Sequence, residues 1–344
     1  MKKFLTITAT FAAASLLLSG CTSGTGEGSG VEESSEEALI VYNAQHEQLT
    51  EEWVAEFTAQ TGIEVALRHG GDSELGNQLI AEGDASRADV FLTENSPAMS
   101  LVENAGLLAP VDPATLALVP EPYRPTSGMW TGIAARSAVF VYNADLIAES
   151  ELPTSILDLQ DADWKGNWGG APAGADFQAI VSAILETQGA EATATWLAGM
   201  EENATTFRNN TATMKAVNAG EIAGGIIYHY YWYRDSDSGG ENSSNTKLHY
   251  FGDQDPGAFI SISGGGVLNS SKNPENAQKF LAFIAGKSGQ TILGEGYSFE
   301  YPVGSGVPAR DPLPALDSLN APTIDPSTLN GPEVLELMMQ AGLL

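Results

Sequence analysis

Three short β-type runs alternate with amphipathic helical segments in the first half of the chain. The strand-like runs are residues 39–42, 64–67 and 88–92. Between the first two runs, Leu49, Trp53 and Phe57 recur at helical spacing, and a second helical pattern precedes the third run. The order strand, helix, strand, helix, strand predicts an α/β fold with a mainly parallel sheet and helices on both of its faces.

Two side chains that can bind a metal follow these runs. His46 comes just after the first run, and Glu94 comes just after the third, followed by Ser96 and Pro97, a typical helix cap and first-turn pair. Ligands of open parallel sheets collect beyond the carboxyl ends of the strands, so we expect His46 and Glu94 at one edge of one sheet. Each also has an ordinary explanation, as a surface histidine or as a carboxylate near a helix N-terminus.

An aromatic run, residues 228–233 with the sequence YHYYWY, follows another strand-like segment. In a continued strand, Tyr230 and Tyr231 would point to opposite faces. In a helix their directions differ by about 100°, and both phenols could reach one ion. A trivalent cation strongly favours the phenolate form. The spacing alone leaves open an aromatic packing surface or a platform for stacking sugars.

The length of 344 residues exceeds what one core usually fills, so we expect two domains. Residues 137–142 are typical of a strand that leaves the first domain. Residues 259–262 suggest a strand that returns to it, after a second α/β region.

The N-terminal residues 1–20 are typical of an export signal, because Lys2 and Lys3 precede an apolar run too short to span a bilayer comfortably. The run ends in Leu-Ser-Gly-Cys, which resembles the lipobox of bacterial lipoproteins and implies a lipid anchor on Cys21. Residues 21–37 are rich in Gly, Ser, Thr and Glu and are predicted to form a flexible tether. Cys21 is the single cysteine, which excludes a site built of several thiolates.

The formal charge of −29 argues against nucleic acid and anionic membrane surfaces as partners. It favours simple solubility as its explanation, with attraction of cations as the alternative. The sequence contains no GxSxG nucleophile elbow, no HExxH zinc motif and no phosphate-binding GxxxxGK[ST] loop. We therefore expect neither a hydrolase nor an ATPase.

Three segments resemble the signature segments of bacterial ferric-ion-binding proteins, the substrate-binding components of iron(III) ABC importers: LIVYNAQH (39–46), ADVFLTE (88–94) and YYWY (230–233). The similarity extends from about Leu39 to the C-terminus. It implies a two-domain periplasmic-binding-protein-like fold of type II, with two mainly parallel sheets flanked by helices and a hinged cleft. The implied first lobe is 38–137 plus about 261–311, and the second is about 138–260 plus 312–344.

This resemblance implies that His46 and Glu94 bind Fe(III) from the first lobe and that Tyr230 and Tyr231 bind it from the second. The implied protein is a monomeric, extracytoplasmic, lipid-anchored receptor that delivers ferric ion to a membrane permease driven by a separate ATPase. The alternative is a receptor on the same scaffold for an organic or anionic ligand, such as a polyamine or a sugar phosphate, with the tyrosines as a stacking surface.

The resemblance also implies a synergistic anion, commonly phosphate or carbonate, held partly at a helix N-terminus. The matching positions are Asn95, Gly174, Ala175, Arg208 and Asn210. The stretch 172–176 lacks the serine hydroxyl of the family, and Asp176 would repel an anion if it faced the pocket. Arg208 could pair with a small anion or be a solvated surface charge.

Overall fold

The computed structural model describes residues 38–304 and 306–344. The predicted export signal, Cys21 and the predicted tether lie outside these residues. The strands are β1 (Leu39–Asn43), β2 (Val65–His69), β3 (Val90–Leu92), β4 (Leu108–Ala109), β5 (Thr131–Asn143), β6 (Trp168–Gly170), β7 (Ala204–Thr206), β8 (Gly224–Tyr228), β9 (Thr246–His249) and β10 (Ile260–Leu268).

The helices are α1 (Glu47–Thr61), α2 (Asp72–Glu82), α3 (Ser96–Asn104), α4 (Pro113–Leu116), α5 (Ala175–Gln188), α6 (Ala190–Asn203), α7 (Asn210–Ala219), α8 (His229–Asp237), α9 (Pro274–Ala285), α10 (Lys287–Glu295) and α11 (Gly331–Gln340). Across this described part of the chain, no helix combines the length and the apolar character needed to cross a bilayer.

Two groups of parallel strands are joined by antiparallel strands. β1 pairs in parallel with β2 and β3, and β6 pairs in parallel with β7 and β8. The full order is β2-β1-β3-β10-β5-β8-β6-β7, with β4 on β10 and β9 on β5. The predicted α/β class is confirmed. The sequence places the domain boundary in segments that belong largely to β5 and β10, and both of these strands run antiparallel to all their neighbours.

β5 belongs to both strand groups. Its residues from Thr131 to Ser137 pair with β10, and those from Ala138 to Tyr142 pair with β8. All of its side chains are buried. The change of partner falls at the point where the sequence predicts the chain to leave the first lobe. The lobe limits themselves stay a prediction.

The chain packs tightly against β5 near the point where this strand changes partner. A Cβ added at Gly132 in β5 would lie 2.0 Å from the carbonyl oxygen of Tyr123 and 3.1 Å from Ile262 Cγ2. We expect Gly132→Ala to lower the free energy of unfolding by about 1–3 kcal/mol, because the backbone must move to admit the methyl group. Urea denaturation of the fragment that follows Cys21 measures this. Gly252→Ala is the control, since a Cβ there meets nothing within 4 Å, and an equal loss in both variants would contradict the prediction.

Candidate metal centre

His46 is positioned by the turn that follows β1. Asn43 Oδ1 accepts hydrogen bonds from Gln45 N at 3.1 Å and from Thr50 Oγ1 at 3.0 Å, which fixes the turn. His46 is the N-cap residue of α1, yet its side chain makes no capping bond. Its Nδ1 lies 2.6 Å from Glu94 Oε1 instead. The histidine and the carboxylate that follow β1 and β3 therefore meet at one edge of the sheet.

Glu94 is held by a second carboxylate, that of Asp72 at the start of α2. The backbone N–H groups of Glu94 and Asn95 donate to Asp72 Oδ1 and Oδ2 at 2.9 and 3.1 Å. Burial raises the pKa of Asp72 to about 7, and the nearby charge of Glu94 adds to this effect. Asp72 thus connects α2 to the segment between β3 and α3 and orients Glu94.

The two tyrosines lie in the first turn of α8, directly after β8. The helical alternative for this run is therefore the observed one. The rings of Tyr230 and Tyr231 stack with centroids 4.3 Å apart. Tyr230 is fully buried, and its ring lies 5.1 Å from the His46 ring in an edge-to-face contact. The phenols of α8 and the imidazole after β1 thus come together from the two strand groups.

Asp176 connects the tyrosines to the anion-side residues. Tyr231 and Tyr230 donate hydrogen bonds to Asp176 Oδ2 at 3.0 and 3.4 Å. The amide nitrogens of Asn95 and Asn210 donate to its two carboxylate oxygens at 3.0 and 2.8 Å. Asp176 is buried near the N-terminus of α5. The carboxylate therefore lies between the phenols and the two amides.

The sequence predicts three other anion-binding residues, which are Gly174, Ala175 and Arg208. Gly174 is the N-cap residue of α5 and Ala175 its first residue. Arg208 is exposed, and in the described part of the chain no hydrogen bond or ion pair joins it to this cluster.

Arg136 is a central residue of this site that sequence reasoning did not identify. It is fully buried in β5, one residue before the pairing with β10 ends. Its NH1 lies 3.4 Å from Glu94 Oε2 and 3.7 Å from Asp176 Oδ1, and its NH2 donates to Glu300 Oε1. One sequence feature could have identified it: Arg136 is the one charged residue of the otherwise uncharged stretch 131–143.

The buried charges set the protonation of the donors. Burial raises the pKa of Tyr230 and Tyr231, and the charge of Asp176 raises both further. Burial would also raise the pKa of Glu94, but Arg136 and His46 outweigh it and lower that pKa. For His46, burial acts to lower the pKa, and the carboxylates of Glu300 and Glu94 outweigh it and raise it. An ion that binds here must displace phenolic protons.

The donor set also limits the kind of ion. Among residues 38–304 and 306–344, no group of three or more His, Cys, Asp and Glu side chains is arranged to hold a metal. Tyr230, whose ring contacts that of His46, and the stacked Tyr231 bring two phenols beside the His46–Glu94 pair. Phenolate and carboxylate oxygens suit a hard, highly charged ion, and one imidazole is tolerated.

The chain belongs to the family of bacterial extracellular solute-binding proteins, whose sequence profile matches residues 43–291. Within that class it resembles iron-binding members. It is 57% identical over 311 residues to an Fe(3+)-binding periplasmic protein of Serratia marcescens, covering 90% of this chain and 92% of the relative. It is 34% identical over 308 residues to a major ferric iron-binding protein of Neisseria meningitidis, covering 89% and 93%.

Solved structures of iron-binding proteins are also similar to this chain. Iron-bound HitA from Pseudomonas aeruginosa superimposes with a TM-score of 0.84 at 40% identity, covering 89% of this chain and 99% of that one. The Trichodesmium IdiA/FutA protein in complex with iron and citrate gives a TM-score of 0.77 at 27% identity, covering 89% and 100%. The resemblance to ferric-ion-binding proteins and the type II periplasmic-binding fold are confirmed.

Proposed function

We propose that this protein is an extracytoplasmic receptor that binds Fe(III) through His46, Glu94, Tyr230 and Tyr231 and delivers it to the permease of an ABC importer. The observation that carries this proposal is the convergence of two stacked phenols on α8 with the His46–Glu94 pair, from opposite strand groups, in one buried cluster. Two phenolates and a carboxylate balance the charge of a ferric ion. The ferric-binding relatives support the same conclusion.

Asp176 is the further donor in this proposal. Both phenols donate their protons to its Oδ2, so a cation that displaces those protons meets the carboxylate directly. Its negative charge takes the place that the family resemblance assigns to a synergistic anion. Arg136 contacts both Glu94 and Asp176 and offsets part of the added charge. One coordination position is left for water or a small anion.

The proposed mechanism of iron capture depends on where the donor residues lie in the fold. His46 and Glu94 follow β1 and β3, whereas Asp176, Tyr230 and Tyr231 belong to α5 and α8. In the proposed mechanism, closure about the crossing strands β5 and β10 completes the coordination shell, and the ion supplies the differential affinity for the closed state. The proposed lobes remain 38–137 plus about 261–311 and about 138–260 plus 312–344.

The remaining parts of the proposal concern partners and location. Cys21 would carry the lipid anchor, and residues 21–37 would connect it to the globular part. The protein would act as a monomeric receptor, not an enzyme, with the ATPase supplied by a separate subunit. A polyamine or sugar-phosphate ligand is less well supported, because the phenols point their hydroxyls at Asp176 and stack on each other.

The test is a visible absorption titration of the fragment that follows Cys21 with ferric citrate in several buffer anions. We expect a saturable phenolate-to-iron charge-transfer band that is complete at one equivalent of iron. Absence of the band in every buffer, together with tight binding of an organic ligand, would favour the alternative receptor.

Iron binding should release protons. Because the pKa values of Tyr230 and Tyr231 are raised, both phenols are protonated near neutral pH before the ion arrives. Two displaced protons make the affinity fall roughly 100-fold per unit of decreasing pH. Proton release, followed in weak buffer during titration with a ferric complex of known proton content, measures this directly. Tyr231→Phe should release one proton fewer, and a proton count unchanged by that substitution would contradict the prediction.

A further inference from the structure

Two buried polar atoms beside the candidate site face each other without a hydrogen-bond partner. They are Nε2 of His46 and Oε2 of Glu300. The atoms lie 3.7 Å apart, and Glu300 is 1% exposed. Buried polar atoms are nearly always hydrogen-bonded, so a facing pair of this kind needs a reason.

The other carboxylate oxygen of Glu300 is fully used. Its Oε1 accepts hydrogen bonds from Gln45 Nε2 at 3.3 Å and from Arg136 NH2. Gln45 in turn accepts the backbone N–H of His46 at 2.7 Å through its Oε1. Glu300 is therefore tied to Arg136 and to Gln45, the residue that precedes His46, and its Oε2 is left toward Nε2 of His46.

The backbone around Glu300 is held equally firmly. Phe299 has φ +56°, a left-handed conformation that is rare for a bulky residue, and its carbonyl accepts a hydrogen bond from His229 Nε2 at 2.8 Å. Tyr301 exchanges two backbone hydrogen bonds with Ala135 in β5, at 2.9 and 2.8 Å. The carboxylate is thus presented by a segment fixed to the crossing strand.

We propose that Glu300 is a positioning residue of the ferric site, whose Oε2 accepts the Nε2–H of His46 while Nδ1 faces Glu94 and the ion. This inference rests on the proposed ferric site. A metal-binding histidine ordinarily donates its second ring N–H to a carboxylate or carbonyl, which fixes its tautomer and orientation and makes the metal-bound nitrogen more basic. Glu300 is the carboxylate on the correct side of this ring.

The distance between His46 and Glu94 also favours a positioning role for Glu300. His46 Nδ1 and Glu94 Oε1 are 2.6 Å apart. Metal bonds of about 2.0–2.2 Å at a right angle hold two donor atoms about 3 Å apart. A ring that shares an ion with Glu94 must move away from that carboxylate, and Glu300 lies at the nitrogen on the other side of the ring.

The first test is Glu300→Gln, which keeps the size of the side chain and removes its charge. We expect Fe(III) affinity, measured by competition with a chelator, to fall about 10–100-fold. In the gallium(III)-loaded protein, a diamagnetic substitute, the ¹⁵N signal of the hydrogen-bonded His46 Nε2–H should be lost or displaced. Glu103→Gln is the control, since that carboxylate accepts a bond from Trp130 Nε1 away from the site.

A double-mutant cycle separates positioning from a general structural role. In a His46→Ala background, Glu300→Gln should change the affinity by less than about twofold, because the residue it acts through is absent. An equal loss in both backgrounds, or an unchanged His46 ¹⁵N signal, would overturn the inference. Where iron binding by the His46→Ala protein is too weak to measure, the ¹⁵N signal decides.

If Glu300→Gln does not fold, Glu300→Asp replaces it, because it retains the charge but withdraws the carboxylate from His46; wild-type affinity and an unchanged ¹⁵N signal would then overturn the inference. Failure of the ferric site itself would appear as iron affinity unaffected by Tyr230→Phe and Tyr231→Phe, a result distinct from an intact iron site that ignores Glu300.

Discussion

Replacing both Tyr230 and Tyr231 with Phe should abolish the charge-transfer band and weaken Fe(III) binding by well over the roughly 100-fold that loss of an outer-shell partner can cause. The substitution removes the two phenol oxygens that we propose as anionic ligands and leaves the rings in place. Because the stacked rings keep their packing, the folded structure should be retained. Loss of binding would then report coordination and not unfolding.

Tyr233→Phe is the matched control for this variant. Tyr233 lies in the same helix, and its hydroxyl accepts a hydrogen bond from Tyr250 at 3.4 Å, away from Asp176. We expect its absorption band and its iron affinity to match those of the unaltered protein. Visible titration and chelator competition measure both. The proposed function is wrong if the double variant at positions 230 and 231 binds iron as the control does.

The second large effect is expected at Asp176. If its carboxylate serves as a ligand, the unaltered protein should bind Fe(III) with similar affinity in buffers with and without phosphate or carbonate. Asp176→Ala should bind much more weakly in anion-free buffer. Added phosphate or carbonate should restore much of the loss, because the shortened side chain leaves space at the N-terminus of α5, where backbone N–H groups favour an anion.

Asp176→Asn distinguishes a ligand from a space-filling residue. It keeps the shape of the side chain, removes the charge and leaves no room for an anion. We expect it to bind iron weakly whatever anion is present. Titrations of the three proteins across a series of phosphate and carbonate concentrations give the comparison, and strict anion dependence of the unaltered protein would refute the role of Asp176.

The parts of the site that the sequence could predict depend on local geometry. Parallel strands end at a common edge, so the placement of His46 and Glu94 follows from the alternation of strands and helices. The tyrosines were ambiguous, because strand and helix point adjacent side chains differently and the start of α8 at His229 leaves no clear mark in the sequence. The structure resolves that ambiguity, since both tyrosines lie in the first turn of α8.

The parts of the site that the sequence could not predict depend on contacts between distant segments. Asp176 was expected to repel an anion if it faced the pocket, and the sequence does not reveal its hydrogen bond with Tyr231, 55 residues away. Glu300 reaches Arg136 across 164 residues. Even the predicted cap of α3 is shifted, because Asn95 is the N-cap residue and its side chain contacts Asp176, while Ser96 Oγ donates to Ile262 O. Both side chains therefore make long-range hydrogen bonds instead of capping α3.

The C-terminal helix α11 contacts α3, α5 and α6. The start of α3 lies beside Asn95 and the start of α5 beside Asp176, and a Cβ added at Gly331 would be 3.3 Å from Pro97 Cβ. Any motion that draws α5 away from α3 must slide or detach α11. We therefore expect α11 to limit how far the segments that carry Asn95 and Asp176 can separate.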